Sequence, residues 1–478
     1  MVLGTLASRG LGFIRQAVFN NLFSDPVKDA FNVALRVPNL FREVLAEGAV
    51  TNALIPVLKS LPEAEQKAFQ SRFGAFLLGI NLLVLGLGWV LAPYFVALLL
   101  SEKSAIDPEL ATYLTRLVMP FLTGISMSAL LSAILQAEER FFPTAFAPVA
   151  FNLVAIGLML VFPGNVTALG LSFSLAGIVQ ALVNLPFLRG WRMSWGWHPA
   201  IGRALLLMGP FVFTTSVRQF LNVVLTILLT SYPLAAVTGF YNAELIFQMS
   251  LGVLAVSPAM ALYPRLAELG AAFDMKSTRE LVGQALPRVA GFLGLASALF
   301  GALAPWTISV LYAWSDNFSL ENAQFSTQAL QGLALAIFPW GLNAILVRMH
   351  YAREEVMKAV RVTVAVFLLN TLGYYLLAPY GMFMLNLATA AAGWLGSTVY
   401  ALQLARAQAL DLRALAILTL KVALCAAVTA LVAYQVAAWV GPAGRAWESL
   451  LPLAAGGLSG VLVYYLLARV LGIKWLRR

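Results

Sequence analysis

Apolar stretches of membrane-spanning length follow one another along the chain, separated by short polar segments. A helix needs about 20 predominantly apolar residues to cross a bilayer, and windows of that length predict fourteen spans. Their approximate limits are 1–23, 28–58, 73–100, 109–136, 143–163, 166–188, 203–231, 235–264, 283–312, 325–349, 359–378, 382–405, 415–440 and 449–471. The pattern therefore predicts an all-α polytopic membrane protein with about fourteen transmembrane helices.

The composition agrees with this class. The 478 residues are 61% hydrophobic and 11% charged, and the mean hydropathy is +0.84, whereas a soluble domain has about 25% charged residues. The one cysteine, Cys425, excludes a disulfide framework and a thiolate metal cluster. A net charge of +10 suggests nucleic-acid binding in a soluble protein. In this chain we attribute it mainly to loop residues that orient the spans, and we expect no nucleic-acid partner.

The basic residues are distributed unevenly between the two sets of loops. Eighteen lie in the even-numbered loops and the C-terminal tail, and three lie in the odd-numbered loops, namely Lys28, Lys103 and Arg445. Cytoplasmic loops carry the excess of Lys and Arg, so we predict that both termini are cytoplasmic. The chain does not open with the regions of a signal peptide, so we expect the first helix to be retained.

The second span is unusually charged for a membrane helix. It carries Asp29, Arg36, Arg42, Glu43 and Glu47. A charged side chain at the bilayer centre costs roughly 2.5–3.5 kcal/mol on insertion scales, so these residues must face one another, a polar cavity or a bound ion. Pro38 also predicts a kink or break in this helix. A broken, charged helix is typical of a transport pathway, although a helix whose charges are paired inside the bundle remains the alternative.

Arginines dominate the intramembrane charge of the first two spans. Arg9, Arg15 and Arg42 each present a planar fork of donors that matches phosphate oxygens. The pattern therefore favours an anionic, phosphate-bearing substrate, with Asp29 and Glu47 partly neutralising the arginines in the empty state.

Enzyme signatures are scarce in this sequence. His198 and His350 have no carboxylate at metal-ligand spacing, and neither a phosphate-binding glycine loop nor a nucleophile elbow is present. We therefore expect a transporter rather than an enzyme, with no cofactor and no metal.

A weak internal repeat relates spans that are six apart. The second and eighth spans end similarly, at 53–58 and 261–266, and the charged segments 137–140 and 352–355 follow the fourth and tenth spans. The repeat predicts two parallel six-helix lobes, assigned to 1–190 and 200–410, with an extra two-helix segment at 411–478. Chance similarity between short apolar segments remains an alternative.

Several motifs resemble the MurJ (MviN) family of the MOP transporter superfamily. They are Ser8-Arg9-Gly10-Leu11-Gly12-Phe13-Ile14-Arg15, Asp29-Ala30-Phe31, Pro38-Asn39-Leu40-Phe41-Arg42, Ala46-Glu47-Gly48-Ala49 and Arg140-Phe141-Phe142-Pro143-Thr144-Ala145-Phe146-Ala147-Pro148. The resemblance extends over essentially the whole chain, and its motifs are most specific in the first 60 residues.

The resemblance implies a lipid II flippase of the bacterial cytoplasmic membrane that works by alternating access. Lipid II is an undecaprenyl diphosphate carrying a disaccharide-pentapeptide, and cell-wall synthesis proteins are possible partners. In the family, arginines of the first two helices line a cationic cavity and bind the diphosphate. The matching residues are Arg9, Arg15 and Arg42, with Asp29 as the important acid and Asn39 and Glu47 within the same motifs. The lipid tail is expected along a groove formed with the last two helices, about 415–471.

This chain departs from the family pattern in the second lobe. Many relatives carry an acid-arginine pair in the eighth helix, but the matching residues are Glu244 and Leu245. Arg218, in the seventh span, is expected either to supply the missing cation to the cavity or to pair with Glu244. A sodium site of some relatives uses acids of the seventh and eleventh helices, and this chain has none in 203–231 or 359–378.

Three other functions remain open at this point. Another MOP-superfamily exporter, either a lipid-linked oligosaccharide flippase or a multidrug exporter, is the nearest alternative. Drug exporters normally have twelve helices and carboxylates for cation coupling, whereas this chain predicts more spans and an arginine-rich first lobe. A polyprenyl-phosphate transferase would need clustered acids and histidines, and a structural scaffold would not explain the buried charges.

Overall fold

The computed structural model describes residues 2–45, 49–188, 190–272 and 274–474. Within these ranges some side chains, including those of Glu43 and Arg218, are not described. The described residues form helices and no strand, which confirms the predicted all-α class. By its internal contacts the chain divides into unit 1, Met1–Val237, and unit 2, Thr238–Arg478.

In unit 1 each helix that carries charge packs on apolar neighbours. The α-helices are α1 Val2–Leu22, α2 Asp25–Leu45, α3 Ala49–Ser60, α4 Glu63–Val90, α5 Ala92–Leu99, α6 Pro108–Val118, α7 Pro120–Ala137, α8 Phe142–Val161, α9 Val166–Leu182 and α10 Pro199–Leu229, with a 3₁₀ turn at Leu185–Phe187. Helix α1 packs on α8, α2 packs on α6, and α7 packs on α9. Gly124 of α7 meets the backbone of Gly177 of α9, a close approach that only small residues allow.

Unit 2 is built around α15 and α17, which pack on each other. Its α-helices are α11 Ala236–Leu251, α12 Ser257–Ala271, α13 Met275–Ala302, α14 Ala304–Tyr312, α15 Leu320–Ala352, α16 Val356–Leu377, α17 Met382–Arg406, α18 Leu412–Val440 and α19 Ala446–Val470, with a π-helical turn at Gly252–Val256 and a 3₁₀ turn at Ala378–Tyr380. Helix α13 packs on α15 and α18, and α18 packs on α19.

Several helices begin where a short polar side chain caps the backbone. In each case a side-chain oxygen accepts a hydrogen bond from an N–H of the first turn, which satisfies one of the donors that a helix leaves open at its start. These caps are Asp107, Asn165, Asp274, Ser319 and Asp411. Asp107, Asn165 and Asp411 lie within four residues of predicted span starts, whereas Asp274 and Ser319 begin their helices nine and six residues before the predicted starts.

Eleven helices of the described residues are long and apolar enough to cross a membrane. The predicted spans 1–23, 28–58 and 203–231 are not among these eleven. The structure nevertheless has helices there, namely α1, α2 and α10. Charged and amide side chains lower the hydropathy of α1 and α2, and the middle of α10 has undescribed side chains. The number of fourteen crossings therefore stays a prediction.

Helix α2 continues through Pro38 to Leu45, so the helix is not broken at that residue. A proline removes one helical hydrogen bond, but membrane helices tolerate the loss because neighbouring groups compensate for it. The described residues of the predicted span 28–58 belong to α2 and α3, and residues 46–48, which include Glu47, lie outside the described residues.

The two units do not coincide with the lobes predicted from the repeat. The contacts place α10 in unit 1, whereas the repeat assigned the seventh span to the second lobe. A division by contacts does not test a division by internal symmetry, so the lobes at 1–190 and 200–410 and the segment at 411–478 stay predictions.

Candidate functional site

Arg15 lies in the middle of α1, and side chains of two other helices hold its guanidinium. Its Nη1 donates a hydrogen bond to Oδ1 of Asn152, 3.0 Å away on α8. The guanidinium carbon lies 5.4 Å from the ring centre of Phe151 and 5.0 Å from that of Phe173 on α9. An arginine within about 6 Å of an aromatic ring gains a cation–π attraction. The orientation of Arg15 is therefore set by three neighbours.

Asn152 is itself held by the backbone of two helices. Its Nδ2 donates to the carbonyl of Ser8, at 3.2 Å, and to the carbonyl of Pro148, at 2.9 Å. The amide thus ties α8 to α1 while its oxygen faces Arg15. The sequence analysis did not select Asn152, although it is the one amide in the apolar span 143–163. A lone amide in a membrane helix is the signal that identifies it.

Arg42 interacts electrostatically with Arg15, and the part of the two arginines in substrate binding stays a prediction. The two like charges are close enough to disfavour each other. Asn39 precedes Arg42 by one helical turn on α2, which places the two on one side of that helix. Arg9 is half-buried, six residues before Arg15 on α1, and makes no hydrogen bond or ion pair with the described residues.

Asp29 has a different environment from the one that its predicted role suggests. It is fully buried at 1% exposure, and its Oδ2 accepts a hydrogen bond of 2.7 Å from the backbone N–H of Ala235. Thirteen residues separate Asp29 from Arg42 on the continuous helix α2, which is roughly 20 Å. Asp29 is thus too distant to neutralise Arg42, and its part in substrate binding stays a prediction.

The remaining predicted site residues are only partly described. Glu47 and the side chain of Arg218 lie outside the described residues, so the pairing of Arg218 with Glu244 stays a prediction. Glu244 is half-buried on α11 of unit 2, where it interacts electrostatically with Tyr374 on α16. The described residues contain no group of three or more His, Cys, Asp or Glu that could hold a metal ion.

Unit 2 contains an apolar cavity of about 1010 Å³ between α13, α15, α17 and α18. Small residues of α18 form one wall, among them Ala423, Ala426 and Ala430, and Phe338 and Trp394 lie opposite. Helix α18 was predicted to border a groove for a lipid tail, and it does line this cavity. Among the described residues, none that lines it belongs to α19.

The arrangement in unit 1 is suited to binding an anion. A guanidinium presents its donors in one plane as a fork, and Asn152 takes one of them while the two rings lie against Arg15. The donors that remain, together with the charge of Arg42 nearby, attract a group with several negatively charged oxygens.

Comparison with known proteins relates the sequence to one family. A family model described as lipid II flippase MurJ matches residues 18–451. The probable lipid II flippase MurJ of Rhizobium tropici is 31% identical over 424 residues, which cover 82% of this chain and 77% of the relative. The lipid II flippase MurJ of Burkholderia cenocepacia is 28% identical over 405 residues, covering 78% and 76%.

Comparison of the structures gives the same fold. A solved structure of lipid II flippase MurJ in an inward closed conformation matches with a TM-score of 0.82 at 20% identity, over 100% of both chains. An inward-facing multidrug resistance MATE family transporter of the MOP superfamily matches with a TM-score of 0.66 at 14% identity, over 83% of this chain and 94% of that one. At these identities the likeness concerns the fold alone.

Proposed function

The chain belongs to the lipid II flippase MurJ family, and we propose that it moves lipid II from the inner to the outer leaflet of the bacterial cytoplasmic membrane by alternating access. The observation that carries the proposal is the family match over residues 18–451. Arg15 supports it chemically, because a fixed guanidinium inside a membrane helix suits the diphosphate of lipid II.

In this mechanism the diphosphate binds at Arg15 and Arg42. Without a ligand the two guanidinium groups repel each other. An anion placed between them is attracted to both, and this attraction outweighs their mutual repulsion. Because Asn152, Phe151 and Phe173 already orient Arg15, little conformational freedom is lost when the anion binds. Asn39, on the same side of α2 as Arg42, adds an amide for the phosphate or the first sugar.

The polyprenyl tail is proposed to occupy the cavity of unit 2. Lipid tails are as apolar as leucine side chains, so moving a tail from the bilayer into this cavity gains little hydrophobic free energy. The affinity comes from van der Waals contacts with the cavity walls, each about 0.1–0.2 kcal/mol. The alanine-rich wall of α18 leaves room for such a chain.

We also propose that both termini face the cytoplasm and that proteins of cell-wall synthesis are partners. The orientation rests on the excess of basic residues in the even-numbered loops. A cysteine introduced at Lys67, an exposed residue near the start of α4, tests it. It should react with impermeant thiol reagents only when the cytoplasmic side is accessible, and labelling in intact cells would contradict the orientation.

Complementation tests the proposed transport. A bacterium depleted of its own lipid II flippase should grow when this chain is expressed. Arg15→Lys keeps the charge but loses the fork, and losing one charge-assisted hydrogen bond costs about 1.5–3 kcal/mol, so it should fail to restore growth.

The control for this experiment is Arg265→Lys, on an exposed residue of α12, which should restore growth fully. Both variants are compared at equal amounts of membrane protein. Normal growth with Arg15→Ala would overturn the assignment of Arg15 to the diphosphate.

A further inference from the structure

A tryptophan-rich segment, residues 190–198, lies along the first turns of α4 in unit 1. The N–H of Ser194 donates to the carbonyl of Ser71 at 3.3 Å, and Nη1 of Arg72 donates to the carbonyl of Trp197 at 3.1 Å. The Trp197 ring meets the Phe76 ring edge to face, 5.9 Å between centres. These contacts fix the segment against the helix without filling the space beneath it.

The space between the segment and α4 is an apolar slot of about 370 Å³. Phe76, Gly79, Ile80 and Leu83 of α4 form one side, and Trp195 and Trp197 form the other. Gly79 keeps the slot open, because a side chain there would extend from a Cβ only 3.6 Å from the Trp195 ring. The slot is therefore narrow, apolar and bounded by two indoles.

The slot opens on the part of α4 that faces away from the protein. Leu83 is 62% exposed, and Leu82 and Leu87 beside it are also exposed. Exposed leucines on a membrane-spanning helix contact lipid. Exposed tryptophans of membrane proteins are typical of the interface between headgroups and acyl chains, and Trp195 of the segment beside α4 is 75% exposed.

A positive charge lies at one end of the slot. Arg72 is adjacent to Gly196, since its Nε lies 3.6 Å from the position that a Cβ on Gly196 would take. Arg192 of the same segment is exposed. Glu65 lies seven residues before Arg72 on α4, about 10 Å along the helix, and Arg72 forms no ion pair with the described residues. The charge is therefore available to a phosphate group.

We propose that this slot is a binding site for an anionic phospholipid of the leaflet that the segment faces. One acyl chain lies between the indoles and α4, and the phosphodiester accepts hydrogen bonds from Arg72. The apolar slot requires a chain and the arginine requires a negative headgroup, so an anionic phospholipid meets both conditions. The site is separate from Arg15 and Arg42, and it does not depend on the proposed transport of lipid II.

Native mass spectrometry of the full-length protein tests the site. The purified protein is incubated with phosphatidylglycerol or phosphatidylcholine carrying identical acyl chains. The wild-type protein should retain phosphatidylglycerol more strongly. Arg72→Gln should weaken this retention by about fivefold, the usual effect of one basic residue at an anionic membrane surface. Arg265→Gln should leave it unchanged. Equal retention of both lipids by the wild-type protein would overturn the proposal.

Filling the slot tests the position of the acyl chain. Gly79→Leu places a side chain in the slot and leaves Arg72 in place. It should reduce phosphatidylglycerol retention severalfold, and retention at the wild-type level would show that no chain lies there.

Fluorescence of the tryptophans provides a measurement that does not depend on the folding of a slot variant. Phosphatidylglycerol brominated on its chains should quench the wild-type protein more than brominated phosphatidylcholine does. The difference should become smaller in Trp195→Phe, in which Trp197 still borders the slot. Equal quenching by the two lipids in the wild-type protein would contradict the site.

Discussion

The two units handle polarity inside the membrane differently. Among the described residues, the charged side chains that are fully buried are Lys28 and Asp29, both in unit 1. The buried polar side chains of unit 2 are neutral or histidine. Because a charge inside a bilayer costs far more than a neutral amide or hydroxyl, the two fully buried charges of unit 1 need specific contacts that compensate for their burial.

The neutral groups of unit 2 form short hydrogen-bonded pairs. Ser397 donates to Oδ1 of Asn343 at 2.9 Å, and the hydroxyls of Tyr374 and Thr389 lie 2.7 Å apart. Such pairs between membrane helices contribute roughly 0.6 kcal/mol on average. They stabilise packing and attract no ion, and they lie in the same unit as the large apolar cavity. The proposed head-group site, in contrast, lies in the unit that buries charged side chains.

Among substitutions that distinguish the two units, we expect the largest loss of lipid II binding at Asn152. Asn152→Asp keeps an oxygen facing Arg15 but adds a negative charge, which satisfies the arginine internally. The hydrogen bond becomes an ion pair that competes with the diphosphate, so lipid II binding should fall at least tenfold, in line with charge-assisted hydrogen bonds of about 1.5–3 kcal/mol. Binding to purified protein measures it.

The control for Asn152→Asp is Asn370→Asp in unit 2, a buried amide of α16 that contacts neither Arg15 nor Arg42. It should affect stability more than diphosphate binding. Unchanged lipid II affinity in Asn152→Asp, at normal protein levels, would mean that Arg15 does not bind the head group.

The sequence was sufficient to predict helices, but it was not sufficient to predict the contacts among them. Hydropathy located most of the long helices, because a membrane helix must satisfy its own backbone and be apolar outside. The arginines were recognised because charge in such a helix is costly. The partners of Arg15 were not predicted, because Phe151 and Phe173 look like ordinary apolar residues in their spans. Only the packing of α1, α8 and α9 brings them to the guanidinium.

Asp29 illustrates the same limit for an acid. The sequence indicates that this carboxylate needs a partner, but several arginines and a ligand were all available as explanations. The structure shows it bonded to the backbone of Ala235, a residue at φ 75°. A left-handed conformation is unfavourable for alanine, and the carboxylate stabilises it across 206 residues of sequence. No local pattern in the sequence identifies such a pair.

The second prediction concerns this buried contact of unit 1. Asp29→Leu leaves the N–H of Ala235 without an acceptor in a buried place, which costs about 1–3 kcal/mol. The variant should lose thermal stability, measured as the temperature at which half of the detergent-solubilised protein aggregates. Asp29→Asn keeps an oxygen acceptor, and Lys28 retains its ion pair with Asp25 at 2.7 Å, so it should be closer to wild type. Equal stability of Asp29→Leu and wild type would contradict this role.

A smaller effect is expected from the cavity of unit 2. Ala426→Phe occupies part of the space and removes several tail contacts, about 1 kcal/mol in total, so lipid II affinity should fall about fivefold. Leu424→Phe is the matched control, because Leu424 is exposed on the same helix and does not line the cavity. A short-tailed lipid II analogue should bind both variants equally. An equal effect of both variants on full-length lipid II would reject the tail assignment.

The smallest effect is expected at a group of ion pairs in unit 2, around the short loop between α15 and α16. Glu355 pairs with Arg353 at 3.4 Å, with Lys358 at 2.8 Å, and with Nδ1 of His350 at 3.2 Å. Burial raises the pKa of Glu355, but the hydrogen bonds from Lys358 and Arg353 outweigh it and lower the pKa from 4.5 to about 2. The ion pairs therefore join the loop to the last turn of α15, at His350, and to the first turn of α16, at Lys358.

Because the pKa of Glu355 is lower in the folded state, the contribution of this group to stability has a defined pH range. It is fully present above about pH 4.5 and is lost as the pH falls through about 2. Glu355→Gln should lower the free energy of unfolding by about 1 kcal/mol at pH 7, since partly exposed ion pairs are weak, and the difference from wild type should shrink towards pH 2.

Glu354→Gln, at the exposed neighbour, should have no comparable effect. If the difference in free energy of unfolding between wild type and Glu355→Gln stayed constant between pH 7 and pH 3, Glu355 would act through its shape rather than its charge. The loop between α15 and α16 would then be stabilised by neutral contacts, like the interior of unit 2.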